Sequence, residues 1–252
     1  MKHTSPKKYQ AKKQFGQNFL IDNRILNKII TASDCSSTET ILEIGPGQGA
    51  LTKLLAPQVK KLIAVETDRE LAQTLQKDFT DSNVEIIKDD ILRFNFDQLP
   101  NNIKIVSNLP YNIATPIVEK VLNHRHKFSD FFMTVQLEFG QRMVAKPNTR
   151  DYSALSCFVQ YYGDARLLFK IAPGCFRPAP KVQSCFVHLD LKVEKPKAKN
   201  EELFFQIVRR GFQTRRKMLV NALNEFAAKD DLIDVFDKIG IAPKSRAENL
   251  DI

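Results

Sequence analysis

The segment Asn108-Leu109-Pro110-Tyr111 places an amide, a proline and an aromatic ring directly after an apolar run. An amino group on an aromatic ring is a poor nucleophile, because its lone pair is delocalised into the ring. If the Asn108 side-chain oxygen and the Leu109 carbonyl both accept hydrogen bonds from such an amine, they favour a pyramidal nitrogen whose lone pair faces a methyl donor. Pro110 stiffens the turn, and Tyr111 offers a ring on which a planar base stacks. The segment therefore predicts methyl transfer to the amino group of a nucleobase.

A glycine-rich segment, LEIGPGQGALT at residues 42–52, is the candidate cofactor loop. Glycines after a strand let the backbone approach a ligand closely, and the amides that begin the next helix then point at it. The E-x-G-x-G-x-G loop of S-adenosylmethionine (SAM) enzymes matches Glu43, Gly45, Gly47 and Gly49. The looser dinucleotide pattern matches Gly45, Gly47 and Ala50. The loop alone leaves SAM and NAD open.

Two acidic residues follow the next apolar runs. Glu66 lies 21 positions after Gly45, where a carboxylate can accept both ribose hydroxyls of either cofactor. Asp90 ends the third run and can accept a hydrogen bond from an adenine amino group, with Asp89 as its rival. The carboxyl ends of strands in an open α/β sheet line one crevice. We therefore expect Glu66, Asp90 and Asn108 to meet the glycine loop there.

The chain alternates in the way that such a crevice requires. Helix-length segments such as residues 69–79 separate short apolar runs, which we interpret as strands at 40–44, 61–66, 84–88, 103–108 and 131–136. Two later runs, at 165–171 and 184–191, are joined by too few residues for a crossover helix, so we expect them to pair antiparallel. The predicted fold class is α/β: a Rossmann-like, mostly parallel sheet that ends in an antiparallel hairpin.

Basic residues dominate the two ends of the chain. The 252 residues carry a formal net charge of +9, which favours phosphate polymers or anionic membrane surfaces as partners. We predict a basic arm at residues 1–13, the α/β domain at 14–193 and a helical domain at 194–252. An apolar stripe indicates helix around residues 207–223: Phe204, Val208, Phe212, Leu219 and Leu223. The candidate contacts to a polyanion are Lys7, Lys8, Lys12, Lys13, Arg209, Arg210, Arg215, Arg216 and Lys217.

The composition argues against several other classes of protein. No run approaches eighteen apolar residues and no apolar core follows the basic start, so neither a membrane span nor a secretory signal is expected. The four cysteines are widely spaced and contain no CxxC pair, which argues against a disulfide framework or a metal site. We expect a cytoplasmic protein.

Six motifs, taken in order, resemble those of the KsgA family of ribosomal RNA adenine dimethyltransferases: QNFL (17–20), EIGPGQGALT, VETD, DDIL, NLPYNI and FRPAPKVQS (176–184). The resemblance runs from about residue 10 to the end of the chain. It implies that SAM is the cofactor and that two adjacent adenines in a hairpin loop near the 3′ end of small-subunit (16S) rRNA are dimethylated during ribosome biogenesis. We expect a monomer that acts on a pre-ribosomal particle and uses no metal.

The resemblance also assigns roles to single residues. It implies that the following residues contact SAM or line its pocket: Gln17, Asn18, Leu20, Glu43, Gly45, Gly47, Gly49, Glu66, Asp90, Ile91 and Asn108. Phe176 would sandwich the target base with Tyr111, held by a loop that prolines stiffen. The segment FQTRRK (212–217) is similar to a family helix in a small domain associated with RNA binding.

Three other functions stay open. An Erm-type large-subunit rRNA adenine methyltransferase has a similar fold, SAM loop and Asn-x-Pro-Tyr motif, although QNFL, FRPAPKVQS and FQTRRK favour the small-subunit family. A non-catalytic RNA-binding assembly or transcription cofactor could keep the same fold. An NAD-dependent dehydrogenase would account for Ala50 and Glu66 but gives no reason for the NLPY segment.

Overall fold

A computed structural model describes residues 9–12, 15–195 and 197–252 of the chain. The predicted RNA contacts Lys7, Lys8 and Lys13 lie outside these residues. In chain order the strands and α-helices are β1 (Phe19–Leu20), α1 (Asn23–Ser33), β2 (Thr40–Ile44), α2 (Thr52–Leu55), β3 (Lys61–Glu66), α3 (Arg69–Asp78), β4 (Val84–Lys88), β5 (Ile103–Asn108), α4 (Ala114–Asn123), β6 (Phe128–Gln136), α5 (Leu137–Met143), α6 (Ala154–Tyr162), β7 (Asp164–Ile171), β8 (Phe176–Arg177), β9 (Ser184–Asp190), α7 (Glu201–Gln213), α8 (Leu219–Ala222) and α9 (Lys229–Lys238).

The central sheet has seven strands in the order β4-β3-β2-β5-β6-β9-β7. The pairs β2–β3, β2–β5, β3–β4 and β5–β6 are parallel. The runs that we expected to pair, β7 and β9, are neighbours at one edge of the sheet. The Rossmann-like α/β fold is thereby confirmed. Because β3 lies on one side of β2 and β5 on the other, the order of the strands reverses at β2, and open α/β sheets bind ligands at the carboxyl ends beside such a reversal.

A short second sheet connects the N-terminal segment to the FRPAPKV loop. Strands β1 and β8 pair antiparallel, with Leu20 opposite Phe176. The Ile21 amide extends this pairing by donating to the Cys175 carbonyl at 2.8 Å. Next, the Asp22 side chain caps α1 by accepting from the amides of Arg24 and Ile25. The segment before α1 is therefore held against the segment that contains β8.

The described residues form two compact units. One runs to Leu137 and includes Leu168–Val187, and the other comprises Glu138–Leu167 and His188–Ile252 without residue 196. The second unit thus contains α5 and α6 together with the C-terminal helices. A separate helical domain that begins at residue 194 remains a prediction.

The prediction of helix across residues 207–223 is wrong in its middle. Helix α7 ends at Gln213, because Thr214 leaves helical geometry with φ −128° and ψ 63°. A turn follows, in which the Lys217 amide donates to the Thr214 carbonyl at 2.8 Å. The Leu219 amide then bonds to the Ser245 carbonyl at 2.7 Å, so a tertiary contact replaces the next helical hydrogen bond. The expected apolar stripe is divided: Val208 and Phe212 pack in one cluster of the second unit, and Leu219 and Leu223 in another. Phe204 stacks on Tyr161 instead.

Two kinds of feature are absent from the described residues. None of the helices there is both long and apolar enough to cross a membrane. Within the same part of the chain, no three histidine, cysteine or acidic side chains are grouped so that they could hold a metal ion.

Candidate active site

A cavity of about 330 Å³ opens at the carboxyl ends of the central strands in the first unit. Small-molecule sites have volumes of roughly this order. Every residue that we predicted to bind the cofactor lines this cavity, except Gly49. Of the predicted catalytic residues, Asn108, Leu109 and Pro110 line it, whereas Tyr111 and Phe176 do not.

The glycine loop has a backbone that other residues adopt only with strain. Gly45 and Gly47 have φ values of +67° and +60°, in the left-handed region. A Cβ on Gly47 would lie 2.8 Å from the Phe19 ring, which the N-terminal segment places over the loop. Gly49 serves packing instead, since its Cβ would lie 2.6 Å from a methyl carbon of Leu75 in α3.

Glu66 ties the end of β3 to the glycine loop. Its Oε2 accepts from the Gly47 amide at 3.0 Å, and its Oε1 accepts from the Asp68 amide at 2.8 Å. Burial raises the pKa of Glu66, and these two amides oppose the rise. Each carboxylate oxygen keeps one further lone pair, so Glu66 can still accept hydroxyl groups from a ligand.

Glu43, at the start of the loop motif, is fully buried and lines the cavity. Burial raises its pKa to about 8, with the Thr52 hydroxyl opposing the rise and the charge of Glu66 adding to it. Glu43 Oε2 has no hydrogen-bond partner among the described residues. An unpaired buried oxygen costs about 1–3 kcal/mol, and a cationic ligand is the kind of group that would satisfy it.

Asp90 lies in a turn that is held by hydrogen bonds involving the side chains of Asp89, Asp90 and Lys120. Its Oδ1 accepts from the Leu92 amide at 3.0 Å, and its own amide donates to Asp89 Oδ1 at 2.7 Å. Lys120 of α4 donates to the carbonyls of Ile91 and Phe94 at 2.8 and 2.6 Å. Desolvation lowers the pKa of this half-buried ammonium. Lys120 therefore orders the turn that presents Asp90 and Ile91 to the cavity.

Asn108 has one end of its amide fixed and the other end free. The Asn108 Nδ2 donates to the Asn18 carbonyl at 3.0 Å, and this bond determines which way the amide faces. The Oδ1 is buried and has no hydrogen-bond partner among the described residues. The next peptide is also held, because the Leu109 amide donates to the Thr134 carbonyl of β6 at 3.2 Å. The site therefore keeps a fixed acceptor oxygen free.

Tyr111 and Phe176 are neighbours, but they are not arranged as a parallel sandwich. Their ring centroids are 6.5 Å apart at an interplanar angle of 73°. Phe176 is only 3% exposed and packs in the core beside Leu20. Tyr111 is half-buried, and its hydroxyl lies 2.5 Å from the buried Ser184 hydroxyl. Burial raises the pKa of Tyr111 to about 12, so its phenol is neutral at physiological pH.

The predicted RNA contacts occupy different environments. Lys12 forms an ion pair with Asp68 at 2.7 Å, and Tyr9 donates to the same carboxylate at 2.8 Å. Arg210 lies 3.2 Å from Glu225, and Arg215 lies 2.8 Å from Glu248. Arg209, Arg216 and Lys217 are exposed.

Several contacts of the site were missed by the sequence analysis. The Asn18 carbonyl and the Ser184 hydroxyl are 90 and 73 positions from their partners, and no local pattern signals such pairs. Ser184 did stand at the end of the quoted motif FRPAPKVQS. Its position there was the one available signal.

The chain is similar to known proteins along nearly its whole length. The family model described as ribosomal RNA adenine dimethylase matches residues 8–252. Ribosomal RNA small subunit methyltransferase A of Clostridium acetobutylicum is 39% identical over 97% of this chain and 91% of its own length. A dimethyladenosine transferase from Plasmodium falciparum has a TM-score of 0.80 at 26% identity, covering 92% of this chain and 93% of its own. The 23S rRNA methyltransferase ErmE, at 24% identity and a TM-score of 0.72, covers 92% of this chain and 96% of its own and shares the fold.

Proposed function

The chain belongs to the ribosomal RNA adenine dimethylase family and is a SAM-dependent methyltransferase, and we propose that Asn108 and Leu109 hold the amino group of the target adenine. The observation that carries this proposal is the buried, unpaired Oδ1 of Asn108, fixed by the Asn18 carbonyl at the rim of the glycine-loop cavity. Oxygens that accept both amine hydrogens leave the nitrogen lone pair free to face the activated carbon.

The cavity fits SAM on the observations made above. SAM supplies a methyl group activated by the positive charge of its sulfonium. Glu66 would accept the ribose hydroxyls, Asp90 the adenine amino group, and Glu43 a cationic part of the ligand. The left-handed glycines allow the backbone at 45 and 47 to approach it closely.

The reaction requires positioning more than acid–base chemistry. Once methylated, the amine nitrogen carries a positive charge and loses its proton readily, so Asn108 needs only to accept hydrogen bonds. Holding two reacting atoms near line at about 3–3.5 Å supplies much of the rate enhancement. Tyr111 would stack on the target base, and Phe176 would complete the sandwich only after its ring leaves the core beside Leu20.

We propose small-subunit rRNA, in a pre-ribosomal particle in the cytoplasm, as the substrate. The name of the 39% identical relative supports this choice. Two adjacent adenines in a hairpin loop would each receive two methyl groups. An adenine must leave its stack to reach the cavity, which costs a few kcal/mol and less in a loop than in a duplex. Exposed basic side chains of residues 194–252 would contact the RNA.

Methylation of purified ribosomal subunits tests the substrate. Small and large subunits from cells that lack this protein are incubated with labelled SAM, and modified nucleotides are mapped. We expect dimethyladenosine at two adjacent positions of the small subunit. Label confined to the large subunit would support the Erm-type alternative, and binding without label would support the non-catalytic one.

Ligand-induced stabilisation tests the cofactor separately. A ligand at a hundredfold its dissociation constant stabilises a protein by about 2.7 kcal/mol. We expect SAM and S-adenosylhomocysteine to raise the melting temperature and NAD to leave it unchanged. A shift with NAD alone would support a dehydrogenase.

A further inference from the structure

The second unit contains a groove of about 930 Å³ that is lined by four arginines. They come from separate parts of the sequence: Arg142 from α5, Arg150 from the loop before α6, Arg209 from α7 and Arg215 from the turn after it. We infer that this groove holds the phosphate backbone of RNA, through Arg142, Arg150 and Arg209, and that Arg215 positions Arg150. The inference rests on the proposed function, because that function makes RNA the macromolecular partner.

Three of these guanidinium groups have no ion-pair partner among the residues that the structure describes. In the described part of the chain, no carboxylate lies within 4.0 Å of Arg142, Arg150 or Arg209. Glu138 and Asp151 also line the groove, but they leave its arginines in excess. An excess of positive charge around one groove creates a positive potential that favours a polyanion.

Two of the arginines are held so that most of their donors stay free. Arg142 Nε donates to the Ser153 hydroxyl at 3.3 Å, and Arg209 Nε donates to the Phe205 carbonyl at 3.2 Å. These bonds use one N–H of each guanidinium, which carries five in all. The remaining N–H groups can bind phosphate oxygens in pairs, the geometry for which arginine is suited.

Arg215 has its donors occupied within the protein. Its Nε and Nη2 donate to Glu248 Oε2 at 3.2 and 2.8 Å, and its Nη1 donates to the Arg150 carbonyl at 2.8 Å. The Asn148 amide also donates to the Glu248 carbonyl at 2.8 Å. The loop that carries Arg150 is thereby fixed from two sides. This arrangement makes Arg215 a positioning residue rather than an RNA contact.

Phe212, which lines the groove, packs on a buried apolar cluster of the second unit. Tyr152 is fully buried, and the Phe212 ring meets it edge-on at a centroid distance of 5.7 Å. Cys157 and Ala145 complete this cluster. Several arginines spread around a groove of about 930 Å³ suit a chain of phosphates better than a single small anion.

Salt dependence of RNA binding tests the inference. Each phosphate contact contributes roughly 0.7 to 0.9 to the slope of log K against log salt concentration. We therefore expect Arg142→Gln, Arg150→Gln and Arg209→Gln each to lower the magnitude of the slope by about one, with unchanged affinity for SAM. Arg166→Gln is the matched control, because Arg166 is exposed on β7 and does not line the groove.

The probe for this measurement is a short single-stranded RNA of mixed sequence, because phosphate contacts do not depend on base identity. The proposed function is tested apart from it, by methylation of small subunits. A variant with all three substitutions whose salt slope equals that of the unmodified chain would overturn the assignment of the groove to RNA phosphates. This holds whether or not small subunits are methylated. Failure to methylate small subunits, with the slope changes present, would overturn the proposed substrate alone.

Arg215→Lys separates positioning from contact. Lysine keeps the positive charge, but it cannot bond to Glu248 and to the Arg150 carbonyl in the same way. We expect faster hydrogen exchange at residues 148–152 and weaker RNA binding with an unchanged salt slope. Unchanged exchange together with a reduced slope would make Arg215 a phosphate contact and would overturn its assignment.

Discussion

The cofactor cavity and the arginine groove differ in the polar atoms that they leave without partners. In the cavity these atoms are buried oxygens, Asn108 Oδ1 and Glu43 Oε2. In the groove they are N–H donors on exposed or half-buried guanidinium groups. A buried unpaired acceptor costs about 1–3 kcal/mol, whereas a guanidinium at the surface keeps most of its water. The cavity is therefore suited to fixing single atoms, and the groove to attracting charge whose position along a polymer matters less.

Removing the fixed oxygen should have the largest effect. Asn108→Ala deletes the acceptor for the target amine, and we expect methyl transfer to fall roughly 100- to 1000-fold, as when one positioned polar group is removed from a reacting centre. Binding of SAM, measured by calorimetry, should change little. Asn101→Ala, at an exposed asparagine before β5, is the control. Normal turnover of the Asn108 variant would show that the cavity does not act by fixing single atoms, and the contrast with the groove would fail.

The glycine loop should be the next most sensitive. Gly47→Ala forces a left-handed backbone on a residue with a Cβ, which costs about 1–2 kcal/mol, and places that Cβ 2.8 Å from the Phe19 ring. We expect SAM affinity to fall about tenfold or more. Gly174→Ala should leave it unchanged, since no atom lies within 4 Å of the added Cβ and its φ is not positive. Equal affinities in both variants would mean that the loop does not touch the cofactor.

The buried carboxyl should make stability depend on pH. Glu43 has a pKa raised from 4.5 to about 8, so the folded chain keeps a proton there that the unfolded chain releases. The free energy of unfolding should therefore fall as pH rises from about 4.5 towards 8, by at most about 1.4 kcal/mol per pH unit. Glu43→Gln should remove this decline in denaturant titrations of the SAM-free protein. A decline of the same slope in the variant would assign it to other groups.

The smallest effect is expected at the Tyr111 ring. Ser184→Ala leaves the phenol without its partner at 2.5 Å, and the loss of one such bond is worth about 1 kcal/mol. We expect the maximal rate of methyl transfer to fall about fivefold with an unchanged KM for SAM. Adding Tyr111→Phe to this variant should cause little further loss, because both partners are then absent. Fully additive losses would show that the two hydroxyls act independently.

Much of the cavity follows from short-range sequence patterns. Glu66 ends β3 and Asp90 follows β4, and the carboxyl ends of parallel strands meet at one edge, so their convergence with Asn108 could be expected. Gly49 belonged to the same loop pattern, but the packing of Leu75 determines its role. The spacing of glycines in the loop pattern does not distinguish a glycine that faces a ligand from one that faces a helix.

The groove could not be expected in the same way. Arg142 and Arg150 lie more than 50 positions before Arg209. Long-range contacts bring their segments together, among them the packing of Tyr152 on Phe212 and the bond from Arg215 to the Arg150 carbonyl. The sequence pattern pointed instead to the clustered basic residues of FQTRRK as RNA contacts, although Arg215 among them is paired with Glu248. The break between α7 and α8 was also missed, because the bond from Leu219 to Ser245 is long-range.

The bond from Asn108 to Asn18 makes the orientation of the Asn108 side-chain amide depend on the segment before α1. The two ends of an amide side chain have nearly the same shape but opposite hydrogen-bonding character. Among the described residues, the Asn18 carbonyl is the group that bonds to this amide, and it thereby determines which end faces the cavity. If the segment before α1 dissociated from the site, the Asn108 amide could rotate by 180°. Its N–H groups would then face the amino group of the proposed target adenine, which also carries N–H groups. Donor would then meet donor, and the adenine would be repelled at the point where it must be held.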